Sequence, residues 1–237
     1  MEPIYYLGIV QALFAALLVL RKPSKSIAHR VLAIWLMVIG LEMFYSLLNY
    51  SYYTWLPDLI IIPLSYGPFL YFYTQLLTSR NPEFPKQFLL HLLPVLGFIV
   101  VALLWGEPID IDSVDFLQKG PITTLLLINF MVFLTSMSFY WCIAVGMIRK
   151  YNNSLSYLLS PSFHPAKFTW IKAIALWILA GLIFTGLIFF VISIERIFPF
   201  HPIEIIHFGL ILFTFYIGYH GIKQPAIPDI EAKSYFD

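Results

Sequence analysis

Glu42 is the one carboxyl group set deep inside a long apolar run, residues 31–48 of the chain. Holding an ionised side chain at mid-bilayer costs on the order of 3 kcal/mol on insertion scales. Such a group is expected to face other helices, paired or protonated. Trp35, Glu42, Tyr45 and Asn49 recur at spacings of seven, three and four, so polar and aromatic groups share one helix face. Four more polar side chains interrupt apolar runs: Gln11, Tyr66, Asn129 and His207. Gln11 lies on a stripe of small residues, Gly8, Ala12 and Ala15, which favours close helix approach. Asn129 shares a face with Ser136, and His207 with Thr214, each pair seven residues apart.

Other chemistry is excluded by residue type and spacing. Of the six histidines, His29, His91, His164, His201, His207 and His220, none forms an i, i+4 pair on a helix. His207 and His220 would stand about 20 Å apart along one helix, too far to share a metal. A single cysteine, Cys142, excludes an intrachain disulfide and a cysteine metal cluster, and reads as a small buried apolar residue. HExxH, GxSxG, P-loop and GxGxxG patterns are absent. The last apolar run holds no lysine except Lys223 at its very end, which disfavours a retinal Schiff base. No metal, no cofactor and no catalytic role is expected. No nucleic-acid-binding module is present, since only Lys223 and Lys233 are basic beyond the last run.

The elements that must carry these residues follow from composition. Of the 237 residues, 60% are hydrophobic and 11% charged, with a mean hydropathy of +0.82. Soluble domains carry roughly 25% charged residues, so a soluble enzyme is excluded. The apolar residues form blocks of bilayer-spanning length, without the strict alternation of a barrel strand. Seven segments are predicted: 4–20, 31–48, 59–77, 88–105, 121–148, 168–194 and 203–222. The fold class is all-α, a polytopic seven-transmembrane-helix bundle over residues 1–223 with a short cytoplasmic tail at 224–237. The first segment has only Glu2 before it and Arg21, Lys22 and Lys25 after it, the order of a retained span rather than a signal peptide.

Lys and Arg set the orientation. Arg21, Lys22, Lys25, Arg30, Arg80, Lys86, Arg149, Lys150, Lys167, Lys172, Lys223 and Lys233 fall on one side, and only Lys119 and Arg196 on the other. This split requires an odd number of spans, with the N-terminus outside and the C-terminus cytoplasmic. Glu107, Asp110, Asp112 and Asp115 make the loop between spans four and five negative and solvated. Tyr50, Tyr52, Tyr53, Trp55 and Trp105 mark the outer aromatic belt, and Tyr73, Tyr151 and Trp170 the inner one. His91 and His220 fall near the cytoplasmic ends as satisfied interfacial histidines. There is no internal repeat, which weakens a transporter built from inverted halves.

Depth then gathers the polar residues. At 1.5 Å per residue, Gln11 and Tyr66 lie about 10 Å below the outer face, Asn129 about 12 Å and His207 about 6 Å. Glu42 lies near 14 Å in a core of roughly 30 Å. Five polar groups on five spans fall in one outer-half layer. The expectation is a ligand pocket with Glu42 as central acceptor or counter-ion and His207 as its partner. Gly67 and Pro68 interrupt span three, where Pro68 breaks the hydrogen-bond ladder and kinks the helix. They are the candidate hinge.

Three stretches carry a family likeness. LSYGPFLYFY at 64–73 reads like a "GP-x-LY-x-Y" segment, FLLHLLP at 88–94 like an "LLHFLP" entry, and GYHGIKQP at 218–225 like a "GYYGIKQP" exit. With Trp170 opening span six, the chain resembles the seven-span N-terminal sensor domain of bacterial membrane-bound AraC-type transcriptional regulators, over nearly its whole length. In that family a cytoplasmic helix-turn-helix domain follows the "QP" exit, and this sequence stops there. His220 replaces the second aromatic of the exit motif. The resemblance implies an inner-membrane sensory receptor domain that binds a small molecule or lipid and signals to a transcription-regulating output missing from this chain. The alternative is a small-molecule transporter or channel. The expected partners are the lipid bilayer and that ligand. The ligand's identity and the oligomeric state carry no sequence signature, and a homodimer stays open.

Overall fold

The computed structural model describes residues 2–22, 26–51, 62–79, 88–105, 124–158, 169–194 and 202–223. Among them every regular element is helical: α1 (Glu2–Leu20), α2 (Ile27–Ser51), a 3₁₀ turn (Ile62–Ser65), α3 (Tyr66–Thr78), α4 (Phe88–Trp105), α5 (Thr124–Leu158), α6 (Thr169–Ile194) and α7 (Pro202–Lys223). An apolar environment offers no hydrogen bonds to a bare backbone, and a helix satisfies its own. Among the described residues, five helices are long and apolar enough to cross a membrane: Glu2–Leu20, Ile27–Leu48, Phe130–Tyr151, Ile171–Ile188 and Ile205–Lys223. The chain is compatible with a helical membrane bundle. The outer faces agree, since Val10, Phe14, Phe190 and Phe215 stand more than half exposed on the surface of their helices. Water would select polar residues there.

Element bounds follow the apolar runs to within a few residues, apart from two larger differences. Helix α5 continues to Leu158, beyond the expected end at 148. The third run is interrupted, but not by a kink inside a long helix. Residues Ile62–Ser65 wind as a 3₁₀ turn, and the α geometry starts at Tyr66. Pro68 therefore stands in the first turn of α3, where an α-helix leaves its N–H groups without intrahelical partners. The ladder changes type there and loses little.

α3 is the hub. Ten of its 13 residues are buried. It packs on α5 and α2, while α1 lies along α2 and α7, and α6 joins α5 to α7. α4 touches the 3₁₀ turn and α3. Trp35 is the largest fully buried side chain, stacked on Phe69 (6.1 Å, 8°) and edge-on to Phe213 (5.6 Å). The small-residue stripe does what its composition suggests. Gly8, Ala12 and Ala15 are buried; a Cβ on Gly40 would sit 3.4 Å from that of Ala12, and one on Gly218 only 2.9 Å from that of Ala15.

Two residues depart from expectation. Tyr73 is fully buried in the core and is no part of an interfacial belt. Cys142 is exposed on α5 rather than buried, because it falls on the outward stripe beside Phe139. The side chains of Asn49, Asn129, Tyr50, Tyr52, Tyr53, Trp55, Trp105 and Trp170, the acidic loop Glu107–Asp115 and the tail at 224–237 lie outside the described residues.

Candidate functional site

Glu42 projects from the middle of α2 toward the start of α3. The Tyr66 hydroxyl donates a hydrogen bond to Glu42 Oε2. Tyr66 is the first residue of α3, directly after the 3₁₀ turn and directly before Gly67 and Pro68. The carboxyl and the candidate hinge are thus joined by one bond. Two helical turns away on the same face of α2 stands Trp35, its ring 6.3 Å from that of Tyr66. Its indole Nε1 is buried with no hydrogen-bond partner among the described residues.

One turn along α2 from Glu42, Ser46 Oγ lies 3.4 Å from His207 Nε2 on α7. The Tyr5 ring of α1 meets the same imidazole edge-on at 5.1 Å. His207, expected to pair with Glu42, is bonded to Ser46 instead, while Glu42 takes Tyr66. Depth alone sets how high two groups stand; helix rotation decides which of them meet. Gln11 Nε2 donates to the Ile211 carbonyl oxygen at 3.3 Å and so ties α1 to α7 one turn from His207. Tyr5, Met43, Leu47 and Ile211 form the apolar ground around this second group.

Of the five residues singled out, Glu42 and Tyr66 are in contact, while His207 and Gln11 belong to the second group, one turn along α2, held through Ser46 and the α1–α7 seam. Asn129 falls on α5, its side chain outside the described residues. Sequence reasoning missed Ser46 and Tyr5. Ser46 had a signal, its i+4 spacing from Glu42. Tyr5 had none, because an aromatic near a helix start reads as interfacial.

Gly67 serves a close approach. A Cβ there would lie 2.8 Å from Cδ2 of Tyr140 on α5. Tyr140 Oη is 2.7 Å from His91 Nδ1 on α4, and Tyr71 of α3 completes a ring cluster, 5.6 Å from His91 and 6.0 Å from Tyr140. His91 is therefore satisfied, as expected. His220 packs on Tyr216 at 4.5 Å.

The Glu42 group can accept hydrogen bonds or balance a cation. Among the described residues no Lys or Arg bonds to it, and no group of three His, Cys, Asp or Glu is placed to hold a metal. Comparison with protein-family models, with curated proteins and with solved structures found no match.

Proposed function

We propose that this chain is a seven-span sensory domain of a bacterial inner membrane, N-terminus outside and C-terminus cytoplasmic, which binds a small polar molecule or a lipid around Glu42 and Tyr66. A helix shift then passes to a cytoplasmic output of the AraC type. The observation that carries this reading is the Tyr66–Glu42 bond at the 3₁₀-to-α junction. A ligand that competes for the carboxyl takes the hydroxyl's acceptor away and acts directly on the segment best placed to move. Support for seven spans comes from the apolar runs and from Lys and Arg lying almost entirely on one side.

The test is a thermal-shift screen of the reconstituted protein against small amines, polyols and lipid headgroup analogues. A ligand at 100 times its Kd adds about 2.7 kcal/mol to stability. The expected result is a compound that stabilises the natural chain but not Glu42→Gln. Stabilisation that survives this change places the ligand elsewhere. Flux of a solute across proteoliposomes holding this protein alone overturns the sensory reading in favour of transport.

A further inference from the structure

The opposite end of the bundle gathers positive charge. The end of α1, the start of α2 and the end of α7 converge. A Cβ on Gly221 would collide with Leu32 of α2 and lie 3.4 Å from Val19 of α1. At this junction the Lys22 Nζ donates to the Gly221 carbonyl oxygen at 3.3 Å and lies 3.4 Å from His29 Nε2. Ser26 Oγ lies 2.5 Å from His29 Nδ1 and accepts from the His29 backbone N–H, which caps α2. Lys22 thus acts as a fixed bolt between three helix ends.

The same three helix ends carry three exposed cations: Arg21 next to Lys22 in sequence, Arg30 next to His29, and Lys223 as the last residue of α7. The Lys223 ammonium sits 4.4 Å over the Tyr219 ring. Residues 19–22, 26–32 and 216–223 hold no Asp or Glu. Burial pushes the Lys22 ammonium below the ordinary lysine value, and an anion beside it would favour its charged form. Immediately above the cations the surface turns apolar, with Leu17, Leu20 and Ile222 exposed. A ligand suited to both levels has an anionic head and hydrocarbon chains.

We propose that the converging ends of α1, α2 and α7 form a binding site for the phosphate headgroup of an anionic phospholipid. Arg21, Arg30 and Lys223 contact the phosphate, with Lys22 holding the three helix ends together. The exposed leucines and Ile222 take the acyl chains. Arg149, Lys150 and Lys172 are exposed on α5 and α6, which supply none of the contacts described at this junction, and provide the comparison.

Native mass spectrometry of the purified full chain in detergent, titrated with phosphatidylglycerol, tests this. Each cation near an anionic surface is worth about fivefold in binding. Arg21→Gln with Arg30→Gln and Lys223→Gln is expected to weaken the first phosphatidylglycerol adduct by at least about tenfold. The charge-matched triple change of Arg149, Lys150 and Lys172 to Gln should leave that adduct nearly as in the natural chain. Phosphatidylcholine should bind far more weakly. Equal loss in the two triple variants, or equal binding of phosphatidylcholine, overturns the site. Inorganic phosphate that displaces the lipid at equal concentration overturns the lipid assignment in favour of free phosphate. If the first triple variant does not fold, Arg30→Gln alone should weaken the adduct about fivefold, and an unchanged adduct overturns the proposal.

Discussion

A partly buried carboxyl that accepts one phenolic hydrogen bond is held by that bond and punished by its loss. Removing one partner leaves the other unsatisfied at a cost of about 1–3 kcal/mol, whereas removing both is nearly neutral. Tyr66→Phe is therefore expected to lower stability by about that amount. Tyr66→Phe with Glu42→Leu should recover most of it, as measured by denaturation in a fixed detergent. Additive losses would mean the two side chains are not coupled. Gly67 makes a sharper case, since Gly67→Ala sets a methyl 2.8 Å from the Tyr140 ring. Overpacking of this kind costs typically about 1–3 kcal/mol. It should also displace Tyr140 and weaken its bond to His91, visible as a changed His91 signal in NMR. At this scale the sequence told much about height and little about direction. Equal rise per residue placed Glu42 and Tyr66 in one layer, and they do meet. It also placed His207 there, yet the imidazole turned to Ser46, because α2 presents Glu42 and Ser46 to different neighbours.

Helix existence was legible wherever the apolar run was long. α4 occupies the expected residues 88–105, and α6 and α7 agree with expectation to within a residue. The third run was legible as interrupted, since Pro63, Gly67 and Pro68 all fall in it. How it breaks was not. A proline forbids one hydrogen bond but does not choose between a kink and a change of helix type. Tertiary packing decides, and here Tyr140 seated on Gly67 holds the junction. α4 offers the element-scale prediction. It touches the 3₁₀ turn and α3, and His91 bonds it to α5. His91→Ala should speed amide exchange in α4 well before it affects α2, measured by hydrogen exchange with mass spectrometry. Uniform acceleration along the chain would show that α4 opens only with the whole bundle.

For the molecule as a whole, the described residues form a bundle in which apolar side chains are as common outside as inside, and charges collect at helix ends. Reporter fusions at Lys25, Lys86, Lys150 and Asp237 should report cytoplasm, and fusions near Asp112 and Phe198 the outside. A cytoplasmic signal near Asp112 refutes seven spans. In the proposed sensory domain the state of the Glu42–Tyr66 pair is felt at the far end of α7. The direct measurement is the distance distribution between spin labels at Ser79→Cys, just past α3, and Ile222→Cys on α7. It is made in a Cys142→Ser background, because Cys142 is exposed. With Glu42→Gln plus Tyr66→Phe, the distribution should shift or gain a second population relative to the natural pair. An unchanged distribution, accompanied only by a lower melting temperature, would contradict the account and leave the pair as packing alone.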